Sequence, residues 1–271
     1  MPISCIPVSL YPDLTSGRMS VDDWIKLGVE AGLDGIDFSP TFIPHDLPSL
    51  KELGKRIEDQ GLERVMLVGH PDFTQPNHHQ WQEEIAQAIH WVKMAAALGC
   101  RYLRITAGQA HPQLARQQGI DLAIQGIREV AVAAVDHGVT LAYENHSKSA
   151  FWDYQDFSQP HDIYLEILAG CDVPGVGANF DTANPLVINE DPFALLEKVA
   201  HRLVAVHIND LKKPGELDPV LIGTGVVPIT GLLEELKKIG YNGWLCIEEF
   251  SRTGPGAVVQ ASQWLKDVWH E

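Results

Sequence analysis

Eight times along the chain, a short run of β-branched and apolar residues is followed by a longer stretch with helical periodicity, and few architectures accept that pattern. The runs fall at residues 3–9, 35–38, 64–68, 102–106, 140–144, 176–181, 203–208 and 244–248. Helical patterns fall at 21–31, 48–60, 81–98, 118–137, 162–168, 192–199, 229–239 and 257–268. Ser20 and Asp191 stand at helix starts, the latter followed by Pro192, and Gly32, Gly61, Gly99, Gly138 and Gly240 stand where helices should stop. Strict strand–helix alternation predicts parallel strands, since each return to the same direction needs a crossover. Closure into one α/β barrel, (β/α)8, over residues 1–271 is the simplest arrangement, and the length suits it. No linker, low-complexity tract or repeat divides the chain.

Composition narrows the function. No apolar run approaches the roughly 18 residues of a membrane span. The start, Met-Pro-Ile-Ser-Cys, lacks a basic segment followed by a long apolar one, and the four cysteines show no paired spacing. A cytoplasmic location is the expectation. A formal charge of −16 argues against nucleic acid as a partner. Oligomeric state stays open, with a homo-oligomer compatible.

Four of the predicted strands end on groups that can bind a metal. They read Thr-Leu-Ala-Tyr-Glu144, Gly-Ala-Asn-Phe-Asp181, Val-Ala-Val-His207 and Leu-Cys-Ile-Glu248. Strand C-termini in a parallel barrel converge on one face, so residues far apart in sequence can share one ion. Alternation of side chains puts Glu144 with Ala142, Asp181 with Asn179, His207 with Ala205 and Glu248 with Cys246 on the inner side. The same parity turns Arg104 and Thr106 inward. Three carboxylates brought together without a cation would repel one another, and a divalent ion resolves the conflict. Three oxygen donors and one imidazole suit Mn²⁺ first, and also Mg²⁺, Co²⁺ or Zn²⁺. Such an ion would serve a substrate with neighbouring oxygens, polarise its carbonyl and stabilise an enediolate.

At Glu144-Asn145-His146, Asn179-Phe180-Asp181-Thr182, His207-Ile208-Asn209-Asp210 and Ile247-Glu248-Glu249-Phe250 the chain resembles sugar isomerases and epimerases of the xylose-isomerase-like TIM-barrel superfamily. The resemblance covers essentially the whole chain. By comparison with the ketose 3-epimerases it implies one metal held by Glu144, Asp181, His207 and Glu248, with Glu144 and Glu248 also moving the proton. The chain departs from those epimerases at Asn184 and Ala150, where they carry a histidine and a glutamate. It departs again at Lys212 and Lys213, where they carry an arginine. With His70 at the end of the third strand and the inward Arg104, Asn184 and Lys212 complete the candidate substrate contacts. Dehydratases of inososes and hydroxypyruvate isomerases share this barrel, so a metal-dependent dehydratase or lyase is the nearest alternative. A non-catalytic sugar-binding barrel is the non-enzyme alternative.

A more distant resemblance to endonuclease IV, which cleaves abasic DNA with three zinc ions, rests on residues 207–212 and 221–225. Its additional ligands are largely replaced: Thr106, Asn184 and Asp218-Pro219-Val220 stand in their places. His78 and His79 read as solvated residues near a helix start, and Trp264 and Trp269 as core or interface. The aromatic run from Phe151 to Phe157 reads equally as a lid or a subunit contact. Gly223-x-Gly225 lacks the lysine and length of a phosphate loop. The expectation is therefore a metal-dependent isomerase or epimerase acting on a small sugar-like compound.

Overall fold

In the computed structural model, which describes residues 1–270, eight parallel strands form one sheet. They are β1 Ile3–Ile6, β2 Gly35–Phe38, β3 Glu63–Val68, β4 Tyr102–Ile105, β5 Thr140–Glu144, β6 Val176–Asp181, β7 Leu203–Ile208 and β8 Trp244–Glu248. The order β1-β8-β7-β6-β5-β4-β3-β2 makes every ladder a pairing of neighbours around a ring. Only β1 and β2 lack a regular ladder, and polar contacts bridge that seam. Asp34 N donates to Ile3 O at 2.9 Å, Ile3 N donates to Asp34 Oδ2 at 2.8 Å, and Ser4 Oγ donates to Asp37 Oδ2 at 2.7 Å. Burial pushes the Asp37 carboxyl up to about 7 despite the Ser4 bond. The result is the (β/α)8 TIM barrel.

Helices α1 Tyr11–Ser16, α2 Val21–Glu30, α3 Leu47–Asp59, α4 His78–Leu98, α5 Arg116–Asp136, α6 His161–Gly170, α7 Asn184–Val187, α8 Pro192–Val199, α9 Ile229–Lys238 and α10 Gly256–His270 lie between and after the strands. Eight answer to the sequence pattern, and α1 and α7 are short additions in the loops after β1 and β6. The first strand stops at Ile6 instead of residue 9, because Pro7 has no amide to donate and the chain turns into a 3-10 segment at Val8–Leu10. Helix α4 begins three residues earlier than expected, where Asn77 Oδ1 accepts from His79 N at 2.9 Å and Gln80 N at 3.1 Å. Ser20 and Asp23 form a reciprocal cap on α2, and Asp191 caps α8 through Phe193 N. No helix among the described residues is long and apolar enough to cross a membrane.

Helix α3 shows how the outer layer is built. Leu50, Leu53, Gly54 and Ile57 are buried at helical spacing, while Lys51, Glu52, Lys55 and Arg56 face solvent. Gly54 is required because a β-carbon there would collide with the carbonyl oxygen of Leu98 at the end of α4. Gly54→Ala is therefore expected to cost about 1–3 kcal/mol, since backbone must move to admit the methyl group. A lowered denaturant midpoint checks this, and an unchanged midpoint would show that the α3–α4 contact yields freely.

Candidate active site and metal centre

The register between strands brings the four sequence-distant groups to one point. Glu144 on β5 pairs in register with Asn179 on β6, and Asp181 at the end of β6 pairs with His207 on β7. Cys246 pairs with His207 and precedes Glu248 by two residues, so Glu248 lies on the same side of β8. One ligand atom from each of Glu144, Asp181, His207 and Glu248 lies within 4.8 Å of all the others. His207 turns Nδ1 to the carboxylates, 2.5 Å from Glu144 Oε1 and 4.0 Å from Glu248 Oε2, while Nε2 lies 3.3 Å from Met66 Sδ.

Residues beside the four groups fix their orientation. Asn179 Nδ2 donates to Glu144 Oε1 at 3.0 Å. The Asn145 amide brackets the end of β6, accepting from Asp181 N at 2.8 Å and donating to Asp181 O at 3.0 Å. Asp181 Oδ1 accepts from Ala183 N and Asn184 N, at 2.8 and 2.7 Å. Glu248 is held more loosely, through Asn209 Nδ2 at 3.4 Å, and its side chain is 15% exposed where those of Glu144 and His207 are fully buried. Sequence reasoning assigned no role to Asn145, Asn179 or Asn209. Their signal was polar side chains beside each ligand inside otherwise apolar strand ends.

The charges are in conflict. Burial pushes Glu144 up, but Arg104, whose Nε is 3.3 Å from Glu144 Oε2, and His207 outweigh it and hold the carboxyl at about 2. Burial raises Asp181 well above the usual carboxylate range, and the negative charges of Glu248 and Glu144 raise it further. Burial lowers His207, but Glu144 and Glu248 more than compensate, bringing it to about 9. Asp181 Oδ2 is buried without a hydrogen-bond partner, and the contacts of Glu144 Oε2 with Arg104 and of His207 Nδ1 with Glu144 are ion pairs that lack hydrogen-bond geometry. A divalent cation fits this donor set. It would give the orphaned Asp181 oxygen a partner and neutralise the carboxylates that oppose one another.

A cavity of about 570 Å³ borders the cluster, lined by Glu248, Arg104 and His70 among others. Arg104 Nη1 donates to Gly69 O at 3.1 Å, and Nη2 lies 3.0 Å from His70 Nε2. Since a guanidinium cannot accept, Nε2 is the acceptor and the His70 proton resides on Nδ1. Burial and the neighbouring Arg104 charge both push His70 well below the ordinary histidine value, consistent with a neutral ring. The aromatic segment after β5 covers this pair: His146, Phe151 and Trp152 stand 5.6, 6.2 and 6.3 Å from the His70 ring. Asp156 Oδ2 anchors His146 Nδ1 at 3.2 Å.

Two expected substrate contacts are placed differently. Asn184 is buried and meets the cluster through its backbone amide on Asp181, and its side chain is not among those lining the cavity. Lys212 is exposed, its amide donates to Asp218 O at 3.0 Å, and it does not line the cavity. Asp210 dictates that course. Its carboxylate accepts from Leu211, Gly223, Gly225 and Val227 amides at 2.8–3.1 Å, folding the loop back so that Leu217, and not Lys212, reaches the cavity wall. The glycine pair of 223–225 thus wraps a carboxylate of the chain itself. His79 lies in solvent against Glu83, and Trp269 packs with Lys237 away from the cluster.

The sequence model of a family described as "Xylose isomerase-like TIM barrel" matches residues 25–268. Rhizopine catabolism protein MocC of Rhizobium meliloti is 30% identical over 138 residues, 45% of this chain and 40% of that protein. An inosose dehydratase of Clostridium botulinum (strain Alaska E43 / Type E3) is 26% identical over 144 residues, 47% of this chain and 46% of that protein. The match spans less than half the length of either relative. A solved structure of L-ribulose 3-epimerase superposes with a TM-score of 0.80 at 17% identity, covering 100% of this chain and 95% of that one.

Proposed function

Because the chain belongs to the xylose isomerase-like TIM-barrel family, we propose that it is a metal-dependent isomerase or epimerase of a small polyhydroxy carbonyl compound. The observation that carries the reading is the pair of unlike glutamates on one four-donor cluster, with Glu248 partly open to the cavity and Glu144 locked behind it. A divalent cation held by Glu144, Asp181, His207 and Glu248, with Mn²⁺ the first choice for such donors, would polarise the substrate carbonyl and acidify the neighbouring C–H.

Glu248 is the better placed of the two to take that proton. Its carboxylate borders the cavity and has one long hydrogen bond, whereas Arg104, His207 and Asn179 all engage Glu144. Arg104 and neutral His70 bind substrate oxygens, the guanidinium as donor and the Nδ1–H of His70 as a second donor. His146, Phe151 and Trp152 shield this end from water. Inversion requires Glu144, ionised beside Arg104, first to take up a proton from solvent and then to deliver it from a second face, while the abstracted proton stays on Glu248. Return of a proton to the adjacent carbon isomerises instead.

The match to an inosose dehydratase favours a second reading, in which a hydroxyl next to the deprotonated carbon leaves as water. Mn²⁺-loaded protein incubated in D₂O with a panel of ketoses and inososes tests both. Deuterium at the carbon beside the carbonyl, together with an isomer, supports the first reading. A dehydrated product without isomer moves the assignment to the second, and no exchange with any member by metal-replete protein contradicts enolising chemistry.

A further inference from the structure

Arg104, engaged by Glu144, is not the only cation on the cavity wall. Lys148 from the loop after β5 and Arg252 from the loop after β8 also line it. Neither has an ion-pair partner among the described residues. Lys148 Nζ donates to Asp153 O at 3.1 Å, and the Arg252 guanidinium lies over the Phe250 ring at 5.1 Å. Among the arginines this is uncommon, for Arg18, Arg56, Arg64, Arg101, Arg104, Arg116 and Arg202 each meet a carboxylate, and Arg252, unlike the equally unpaired Arg128, stands on the cavity wall. In a chain with 36 acidic residues, two cations without acidic partners share one cavity.

Arg252 is also held where it is by local structure. Its backbone takes φ 58°, in the left-handed region that residues other than glycine seldom enter. The Arg252 amide donates to Ser9 Oγ at 2.7 Å. One residue earlier, Ser251 N donates to Glu249 Oε1 at 2.8 Å, and Glu249 is 1% exposed. A buried carboxylate next to Glu248 thus shapes the turn that presents Arg252. Stacking on one aromatic face leaves the guanidinium edge free to donate.

The balance of charge gives this placement its meaning. Glu144, Asp181 and Glu248 carry three negative charges, which a divalent cation and Arg104 offset. Lys148 and Arg252 then leave the cavity positive within an acidic molecule, a field that draws in an anion.

We infer that the substrate carries an anionic group, a carboxylate or a phosphate, which Arg252 receives with Lys148 adding a second positive charge. This rests on the reading of the site as one for a polyhydroxy carbonyl compound and narrows its substrate class. Binding, which needs no turnover, separates the two ideas. The probes are D-fructose, D-fructuronate and D-fructose 6-phosphate, which differ only at C6, titrated calorimetrically into the Mn²⁺-loaded full chain. At least one anionic probe should bind about tenfold tighter than D-fructose or better, as a charge-assisted hydrogen bond allows. R252Q should bring that probe to within about twofold of D-fructose, and K148Q should narrow the gap part way. The carboxylate and phosphate arms identify which anion the cavity takes. Equal binding of all three, no binding of any, or an R252Q loss shared equally by D-fructose would overturn the inference. Anionic preference without deuterium exchange on any sugar would uphold it while removing the isomerase reading.

Discussion

Replacing Glu248 by glutamine is expected to lower turnover by about 10²–10⁴-fold, the range for loss of a positioned general base. Glutamine preserves shape but cannot take a proton. Because Glu248 is the most exposed of the four groups and the least hydrogen-bonded, the fold should tolerate the change. Metal content must be measured beside rate, and activity lost with metal retained assigns the proton step to this carboxylate. Glu144→Gln should lower activity as strongly but through a different balance. Arg104 is 1% exposed, and removing its charged partner strands a buried cation, so the metal-free variant should also lose stability on the order of 3–5 kcal/mol. Full activity in both variants would end the paired-glutamate account. Epimerisation has a further signature: one variant exchanging substrate hydrogen with solvent without forming epimer.

Removal of the metal is the second large effect. Chelation should abolish turnover, and affinity for added Mn²⁺ should depend on pH in a direction the site fixes. In the metal-free chain His207 sits near 9, so at neutral pH it holds a proton that the incoming ion must displace. Asp181, raised by burial and by its neighbours, adds to the same requirement. Affinity should therefore tighten as pH rises toward 9, by up to about tenfold per pH unit for each proton released. Stability of the metal-free chain follows the opposite course for His207. Its folded pKa exceeds the ordinary 6.5, so the contribution is complete below that value and is lost as pH rises through about 9. Glu144, held at about 2, stabilises above its ordinary 4.5 and loses that contribution as pH falls toward 2. Calorimetry in buffers of differing protonation heat counts the protons released, and pH-independent affinity with no proton release would contradict the electrostatic description.

The barrel and the four donors were legible in the sequence because both depend on short-range regularities. Alternation of strand and helix sets the topology, and strand parity turned Glu144 and Arg104 to the same interior, where they form an ion pair. Helices α1 and α7 were hidden because six and four residues are too few to show a helical period. The course of the chain at Lys212 was not legible for a related reason. It follows from Asp210 gathering amides up to 17 residues away, an interaction with no local pattern. Asp37, by contrast, stood in the open as a carboxylate within the buried run of β2, and its bond to Ser4 across the barrel seam could have been suspected from the two strands together.

The central claim is that Glu144, Asp181, His207 and Glu248 hold one catalytic divalent ion. A crystal of Mn²⁺-loaded protein, measured at the manganese absorption edge, tests it most directly. The account predicts one anomalous peak within coordinating distance of all four side chains, with His207 bound through Nδ1. A peak elsewhere, or none from crystals that retain stoichiometric and activity-supporting manganese, would contradict it.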